Sequence, residues 1–447
     1  MWGQLLVEGT GHGCADSGCA AGCGPRWQGD SCHGQKIPVV CTLVVRLLPY
    51  PCRIVLVQGY GQEGTGKTKK NAEMNQKEES IFYELLRAAL WGTPVHPEKW
   101  GHEGWLWKNI LKNLERQTIL GLCTDVILRL PAEYLPDAEQ QQLVQGRYMN
   151  NVKKHFLLNS TLIEVFNWLK QHGIKPVLFK GQGLASLYPN PLLRQCGDID
   201  IYIGIPNFDK AKGLIQQLVK DPKLIEEARE IPKHYEITYK SVSLELHKIA
   251  ERIYVPSYKK YYQQLTEYWL EQQEPETVTI QDTPIPIVPT QFNVLYVFNH
   301  LWNHFCSGGV GLRQICDWAM LLHCSYGKYN KEQLEQDLKH CGLMQVWKSV
   351  GCLVVEHLGL PAEEFPFYDT SLKSKAEICH KIIMIDGNFG KYSRVLKKRD
   401  YLSQKVYGFQ QFLKRTKYRF QLDSFQNFAK TTYYTFKFKI TAFLKGK

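Results

Sequence analysis

The spacing of apolar residues divides the chain into helical regions and a strand-rich region. Between residues 78 and 172, apolar residues recur every three or four positions, as in "IFYELLRAALWG" and "HFLLNSTLIEVFNWLKQHG". That spacing is typical of amphipathic helices. It returns after residue 290 in "PTQFNVLYVFNHLWNHF" and "LRQICDWAMLLH", with "SGGVG" between them. The pattern predicts two helical regions separated by a segment of different character.

Between the helical regions the period changes to two. "IKPVLFK" and "DIDIYIG" are typical of strands, and "NFDKAKGLIQQLVK" is typical of a helix with Asn207 as its N-cap. "YEITYK" and "SVSLELHKI" indicate two strands joined by a tight turn near Ser241. We therefore predict an α+β protein with a small mixed β-sheet core, flanked by N- and C-terminal helical regions.

These patterns, with a length of 447 residues, set the expected organisation. The five expected segments are an extension at 1–73, a helical region at 74–172, the core at 173–289, a second helical region at 290–392 and a basic aromatic tail at 393–447. We expect 1–73 to be either a disordered extension or a segment outside the natural protein, produced by a start codon assigned too early.

Residues 1–73 carry two motifs of low specificity. "GQEGTGKT", from Gly61 to Thr68, matches a phosphate-binding P-loop, but the following "KKNAEMNQKEE" is too polar for the helix that a P-loop needs. We interpret it as a chance match and keep a P-loop NTPase as an alternative. The N-terminal cysteines form no clean CxxC pair, which makes a zinc site the weaker interpretation.

Charge and hydropathy constrain the environment. Residues 393–447 contain fourteen Lys and Arg but two acids, a balance of +12 that equals the net charge of the whole chain. The tail is interpreted first as a solvated helical face, second as a contact with a membrane surface or anionic polymer, and last as a nucleic-acid surface. No transmembrane segment or secretory signal is expected, and we expect a cytoplasmic protein.

Two aspartates stand on one face of the predicted strand "DIDIYI". Asp198, Asp200 and Tyr202 share that face, because side chains alternate along a strand, and Ile199 and Ile201 take the other. Carboxylates this close repel one another unless a cation lies between them. Mg²⁺ prefers such hard oxygen ligands and keeps substrate phosphates in its shell.

A third carboxylate comes from "SVSLELHK", where Ser243, Glu245 and His247 share a face. If this strand lies beside "DIDIYI", Glu245 meets the aspartate pair. Three carboxylates on adjacent strands suit a two-metal cluster for phosphoryl transfer. The alternatives are that Glu245 points to solvent and that His247 packs at the strand end.

Upstream, "FKGQGLASLYPNPLLRQCGD" supplies groups suited to an anion. Lys180 ends a strand, Gly181 opens a short helix, and Arg194 precedes Asp198 by four residues. Free backbone N–H groups and these cations predict a phosphate-binding turn. The alternative is that Lys180 or Arg194 pairs structurally with the aspartates.

Together, "LFKGQGLASLYPNPLLRQCGDIDIYI" and "LELH" resemble the polymerase-beta-type nucleotidyltransferase superfamily, and within it a group of uncharacterised bacterial nucleotidyltransferases. The resemblance implies that Asp198, Asp200 and Glu245 hold two Mg²⁺ ions and that Gly181 occupies the phosphate turn. The sequence differs from the superfamily at that turn: Gly-Ser is frequent in the superfamily, whereas Gln182 follows Gly181 here.

The resemblance implies transfer of a nucleoside monophosphate from an NTP, with ATP expected, to an unidentified hydroxyl acceptor: a small molecule, a sugar or a protein. The alternative is a catalytically inactive module of the same fold that senses nucleotides or binds a partner. It also suggests that Arg313 faces the substrate cleft, although Arg313 and Asp317 also suit a helix ion pair. His300 and His304 have zinc-ligand spacing but lack the usual glutamate, so we favour a structural role.

Overall fold

The computed structural model describes residues 42–45, 52–55, 74–101, 106–388 and 401–444. The chain forms two compact units, Met1–Lys70 and Asn71–Lys447. In the first unit, strands β1 (Thr42–Val45) and β2 (Cys52–Val55) pair antiparallel. The motif at 61–68 lies outside the described residues, as do the side chains of the N-terminal cysteines.

Four helices form the N-terminal region of the second unit: α1 (Gln76–Trp91), α2 (Leu106–Arg116), α3 (Leu120–Leu128) and α4 (Ala138–Gln171). The segment "LWKNILKNLERQTILGLCTDVILRL" forms two helices rather than one, because Thr118 between them adopts φ of 60°. The fourth helix begins well before the apolar pattern does, at Asp137, whose carboxylate accepts a hydrogen bond from the backbone of Gln140.

The sheet of the second unit has seven strands and is mixed, which confirms the predicted α+β class. The strands are β3 (Val177–Phe179), β4 (Asp198–Tyr202), β5 (Arg229–Glu230), β6 (His234–Tyr239), β7 (Val242–His247), β8 (Glu276–Ile280) and β9 (Thr283–Ile287). Their spatial order is β5-β6-β7-β4-β3-β9-β8. The pairs β4–β7 and β3–β9 are parallel, and the other pairs are antiparallel.

Both hairpins turn through residues in the left-handed region. The tight turn predicted near Ser241 is confirmed, with φ of 48° at Lys240 and 63° at Ser241, as in a type I′ turn. The β8–β9 hairpin was not predicted, because Pro284 and Pro286 argue against a strand. Its turn has the same form, at Gln281 and Asp282.

Short helices lie between the strands: α5 (Gly181–Ala185), α6 (Phe208–Val219), α7 (Pro222–Glu227) and α8 (Pro256–Glu267), which continues as a π-helical turn to Gln272. Asn207 does precede α6, but its side chain makes no capping hydrogen bond.

In the part of the chain that the structure describes, seven α-helices follow the sheet: α9 (Thr290–Ser307), α10 (Leu312–Cys324), α11 (Lys331–His340), α12 (Met344–Glu356), α13 (Lys373–Asp386), α14 (Tyr401–Leu422) and α15 (Phe425–Leu444). The last two belong to the basic tail. Part of this tail is integrated into the fold, since Arg415 of α14 is buried and forms a 2.6 Å ion pair with Asp386 of α13. Among the described helices, none is both long and apolar enough to cross a membrane.

The two faces of the sheet contribute to different cores. Ile199 and Ile201 pack in a core with α4 and α6, whereas Phe179 and Tyr202 join the larger core that contains α9 and α10. Because side chains alternate along β4, the aspartates face the helices α9 and α10. The site therefore forms between the sheet and the C-terminal helical region.

Candidate active site

The parallel pairing of β4 with β7 brings three carboxylates to one face. Asp200 is the register partner of Glu245, and Asp198 lies one pleat further along on the same face. The expectation that these strands are neighbours is confirmed. The three side chains line a cavity of about 260 Å³.

Asp200 is the most enclosed of the three, with 3% of the residue exposed. Its Oδ1 lies 3.2 Å from Nζ of Lys180 and accepts a hydrogen bond of 2.9 Å from Nε2 of His247. Burial by itself raises the pKa of Asp200, but Lys180 and His247 outweigh it and hold the pKa well below the usual value. Asp200 is therefore ionised and already partnered.

Asp198 is in the opposite situation. Burial and the negative charge of Asp200 together raise its pKa to about 6, although Lys180 lowers it in part. One ammonium, that of Lys180, therefore lies among three carboxylates, and Arg313 in the same lining also lowers the pKa of Asp198.

Glu245 contacts two imidazoles. Its Oε2 lies 3.1 Å from Nδ1 of His234 and 3.2 Å from Nε2 of His247. The sequence analysis did not identify His234. The predicted hairpin was the available signal, because its register places His234 directly opposite His247. Ligand atoms of these three residues lie within 4.8 Å of one another, close enough to hold a metal ion.

Lys180 occupies a strained turn between β3 and α5. Its φ is 48°, which is uncommon for a residue with a Cβ, and Gly181 follows with φ of 43°. Such strain is maintained where the surrounding structure requires it, frequently at functional sites. The turn aims the Lys180 side chain at Asp200.

Two successive hydrogen bonds connect the Lys180 ammonium, through His300, to Glu251. Its Nζ lies 3.2 Å from Nε2 of His300, whose Nδ1 donates to Oε1 of Glu251 over 2.8 Å. Burial and then Lys180 lower the pKa of His300 well below its usual value, so the neutral imidazole accepts from Lys180. Glu251 also pairs with Lys233 at 2.7 Å. The sequence analysis missed Glu251 and Lys233, because both lie in connecting segments where no helical or strand periodicity marks their positions.

The structural role favoured for His300 agrees with these contacts. His304 lies beside it, with ring centroids 4.4 Å apart. Among the described residues, this pair belongs to neither of the side-chain clusters spaced to hold a metal.

Arg194 lies in the pocket wall, but its guanidinium is engaged elsewhere. Its Nε and Nη2 each donate to Asp317 over 2.7 Å, and Tyr188 donates to the same carboxylate over 2.8 Å. Arg194 and Asp317 are 2% and 4% exposed. The predicted contact between Arg194 and a phosphate stays a prediction, and the geometry favours a role in fixing the segment before β4 to α10.

Arg313 is better placed for an anion. It lines the cavity with Asp198 and Gly181, its Nη1 lies 3.8 Å from Asp317, and its buried Nε has no hydrogen-bond partner among the described residues. The predicted ion pair with Asp317 is present but long, because Arg194 makes the closer contacts.

The donor set fits Mg²⁺. Asp198 and Asp200 offer carboxylate oxygens, which are the ligands that Mg²⁺ prefers. The pKa of Asp198 is raised by burial and then by the negative charge of Asp200, and a bound cation would offset both. Glu245 also faces this cavity, although its contacts with His234 and His247 must loosen for it to serve as a further ligand.

Comparison with known proteins gives one family match. A family model described as "Uncharacterised nucleotidyltransferase" matches residues 104–359, more than half of the chain. The crystal structure of an antigenic nucleotidyltransferase-like protein from Paracoccidioides brasiliensis shares 15% identity, covers 48% of this chain and 94% of that chain, and has a TM-score of 0.29. A likeness that weak supports no argument about fold or mechanism. No curated protein matches the chain.

Proposed function

Because the chain belongs to this family of uncharacterised nucleotidyltransferases, we propose that it transfers a nucleoside monophosphate from an NTP to a hydroxyl acceptor. The observation that carries the proposal is the pairing of β4 with β7, which directs Asp198, Asp200 and Glu245 into one cavity. The acceptor oxygen forms a bond to the α-phosphorus as the bond to the β-phosphate breaks, and pyrophosphate leaves.

Asp198, Asp200 and Glu245 are proposed to hold two Mg²⁺ ions. Bound there, Mg²⁺ offsets the charge of the triphosphate and makes the acceptor hydroxyl more acidic. The buried walls keep the carboxylates fixed, since Ile199 and Ile201 anchor β4 from its other face. Fixed ligands reduce the reorganisation needed when the reacting groups meet.

Lys180, Gly181 and Arg313 are proposed to contact the triphosphate. All three line the cavity with the carboxylates. Lys180 pairs with Asp200. With Mg²⁺ held by the carboxylates, the Lys180 ammonium would be placed to pair with phosphate oxygens instead. Arg194 acts indirectly, by holding Asp317 and the segment before β4.

The identity of the substrates is less defined than the site. ATP is the nucleotide we expect first, and the acceptor is a small molecule, a sugar or a protein hydroxyl. Among the described residues, the basic helices α14 and α15 carry no nucleic-acid-reading motif, and their outer face offers a further contact with an anionic membrane surface. A cytoplasmic location stays an expectation.

A catalytically inactive module is the second candidate. The Lys180–Asp200 pair favours it, because an ammonium among carboxylates is one way to stabilise such a cluster without a metal. The two proposals differ in whether Mg²⁺ and an NTP bind productively.

The test is Asp200→Asn, which keeps the shape of the side chain and removes its charge. We expect the wild-type protein to release pyrophosphate from an NTP with Mg²⁺ and an acceptor drawn from sugars, antibiotics or proteins. The variant should lose this activity. Asp125→Asn is the matched control, since Asp125 is a partly exposed acid on α3 with only a 3.8 Å contact to Arg129. Equal turnover by wild type and Asp200→Asn would reject the proposal.

A further inference from the structure

A second cavity adjoins the carboxylate pocket. Its volume is about 550 Å³, in the range of small-molecule sites. It lies between α9, α14, α15 and the segment Glu251–Val255 that follows β7. Lys233 and His304 line both cavities. The two cavities therefore adjoin each other at Lys233 and His304.

The lining of this second cavity is strongly basic. It contains five cationic side chains, whereas Glu251 is its one acidic residue among the described residues. The cationic residues are Lys233, Arg252, Arg415, Arg419 and Lys439. Glu251 is already matched by Lys233 and His300. Because Arg415 also pairs with Asp386, the excess of positive charge comes from Arg252, Arg419 and Lys439, and it favours an anion.

Two of the arginines retain buried donors without partners. Arg415 and Arg419 are 2% and 7% exposed, and Nε of each has no hydrogen-bond partner among the described residues. Arg415 pairs with Asp386 through Nη1, so the unused donor is its Nε. A buried donor left unpaired is unfavourable, and both guanidinium groups belong to residues that line this cavity.

Arg252 lies at the same cavity and is half-buried. No described acid forms an ion pair with it, and its guanidinium carbon lies 5.9 Å from the ring centre of Phe438. Its charge is therefore available to a ligand. Trp302 and Tyr254 supply flat apolar surface in the same lining.

We propose that this second cavity binds the acceptor, and that the acceptor is a phosphorylated hydroxyl compound with a flat apolar group. The proposal rests on the proposed nucleotidyl transfer. Its phosphate would pair with the arginines, its apolar group would lie against Trp302 and Tyr254, and its hydroxyl would point past Lys233 and His304 toward Asp200. The triphosphate is assigned to the other side, because Gly181 and Arg313 line the carboxylate pocket and not this cavity.

The probe is phenyl phosphate, which has the anion and the flat group but no hydroxyl to react. Its binding to the full chain is measured by calorimetry without Mg²⁺ or nucleotide. We expect saturable binding of one molecule per chain, and no saturable binding of benzyl alcohol, its neutral counterpart. Benzoate, with a single charge, should bind more weakly than phenyl phosphate.

Substitutions then locate the probe. Arg252→Gln and Arg419→Gln should each weaken phenyl phosphate binding by about tenfold, as expected for loss of a charge-assisted contact. Arg129→Gln, which changes an arginine with an 81% exposed side chain, is the matched control and should leave binding unchanged. Absence of saturable binding by wild type, equal binding of benzyl alcohol, or unchanged binding by both variants would overturn the proposal.

Two further measurements separate this proposal from the proposed function. Asp200→Asn should bind phenyl phosphate at least as tightly as wild type, because only the carboxylate pocket is changed. A failed turnover assay therefore leaves this binding result intact, and the reverse also holds. If Mg²⁺–ATP displaces phenyl phosphate competitively, the cavity belongs to the nucleotide and the assignment to the acceptor is wrong.

Discussion

Two buried cation–aspartate pairs line the carboxylate pocket. They differ in how completely the charge of the cation is matched by its partner. Arg194 and Asp317 share two hydrogen bonds of 2.7 Å, and Tyr188 supplies a third donor. Lys180, by contrast, lies 3.2 Å from Asp200 and faces the charge of Asp198 and Glu245 as well.

The pKa values set Asp198 apart from both paired aspartates, since Lys180 and His247 hold the pKa of Asp200 well below its usual value despite its burial. Burial raises the pKa of Asp317, but Arg194 outweighs it and the pKa is lowered. Burial and Asp200 raise the pKa of Asp198 to about 6 despite Lys180. A matched pair stabilises the fold, whereas a carboxyl group whose pKa stays raised beside two other acids is a candidate ligand for a cation from solution. The predictions below test this contrast.

The largest effect is expected from Asp317→Asn. The substitution leaves the Arg194 guanidinium buried without an anionic partner, and we expect the free energy of unfolding to fall by about 3–5 kcal/mol. Urea denaturation measures it. Asp125→Asn, at a partly exposed pair, should change the same quantity by less than about 1 kcal/mol. A similar decrease in the free energy of unfolding in the two variants would show that the Arg194–Asp317 pair does not stabilise the fold.

Asp198→Asn should show the opposite profile. We expect Mg²⁺-dependent NTP turnover to fall by about a hundred- to a thousandfold, the range for losing one charged group at a reacting centre. The free energy of unfolding at neutral pH should stay equal or rise, because the substitution removes a carboxylate that its neighbours disfavour. A loss of stability similar to that of Asp317→Asn would contradict the distinction between a structural Asp317 and a metal-binding Asp198.

The smallest of these expected effects is a dependence of Mg²⁺ affinity on pH, set by the ionisation of Asp198. The folded-state pKa of Asp198 is raised above its unfolded value, so this group favours folding at low pH and that contribution is lost as pH rises through about 6. Mg²⁺ needs the ionised carboxylate, and its affinity should fall by about tenfold per pH unit below that pKa. Calorimetric Mg²⁺ titrations between pH 5 and 7.5 measure this. A similar slope in Asp198→Asn would assign the dependence to another group.

The carboxylate face could be predicted because it depends on local alternation. "DIDIY" and "LELH" each set which side chains share a face, and the parallel pairing of β4 with β7 was the one additional step. Lys180 was identified as a cation near the site, but its partner was left open, since the turn that aims it at Asp200 depends on a backbone strain that no sequence pattern records.

Some features of the site and the fold could not be predicted, because local sequence patterns do not record them. Arg194 and Asp317 are separated by 123 positions, so nothing near Arg194 showed that its guanidinium was already paired. The β8–β9 hairpin was missed because Pro284 and Pro286 oppose a strand, but β9 pairs with β3 at Ile287, beyond both prolines. The start of α4 was missed because its first turns are polar and lack an apolar stripe.

The central claim is that Asp198, Asp200 and Glu245 form a Mg²⁺ site for nucleotide transfer. It is tested most directly by counting the Mg²⁺ ions bound per chain with a non-hydrolysable ATP analogue, in wild type and in Asp200→Asn. We predict two ions in wild type and at most one in the variant. No bound Mg²⁺ in the wild-type protein, or an equal count in the variant, would contradict the account.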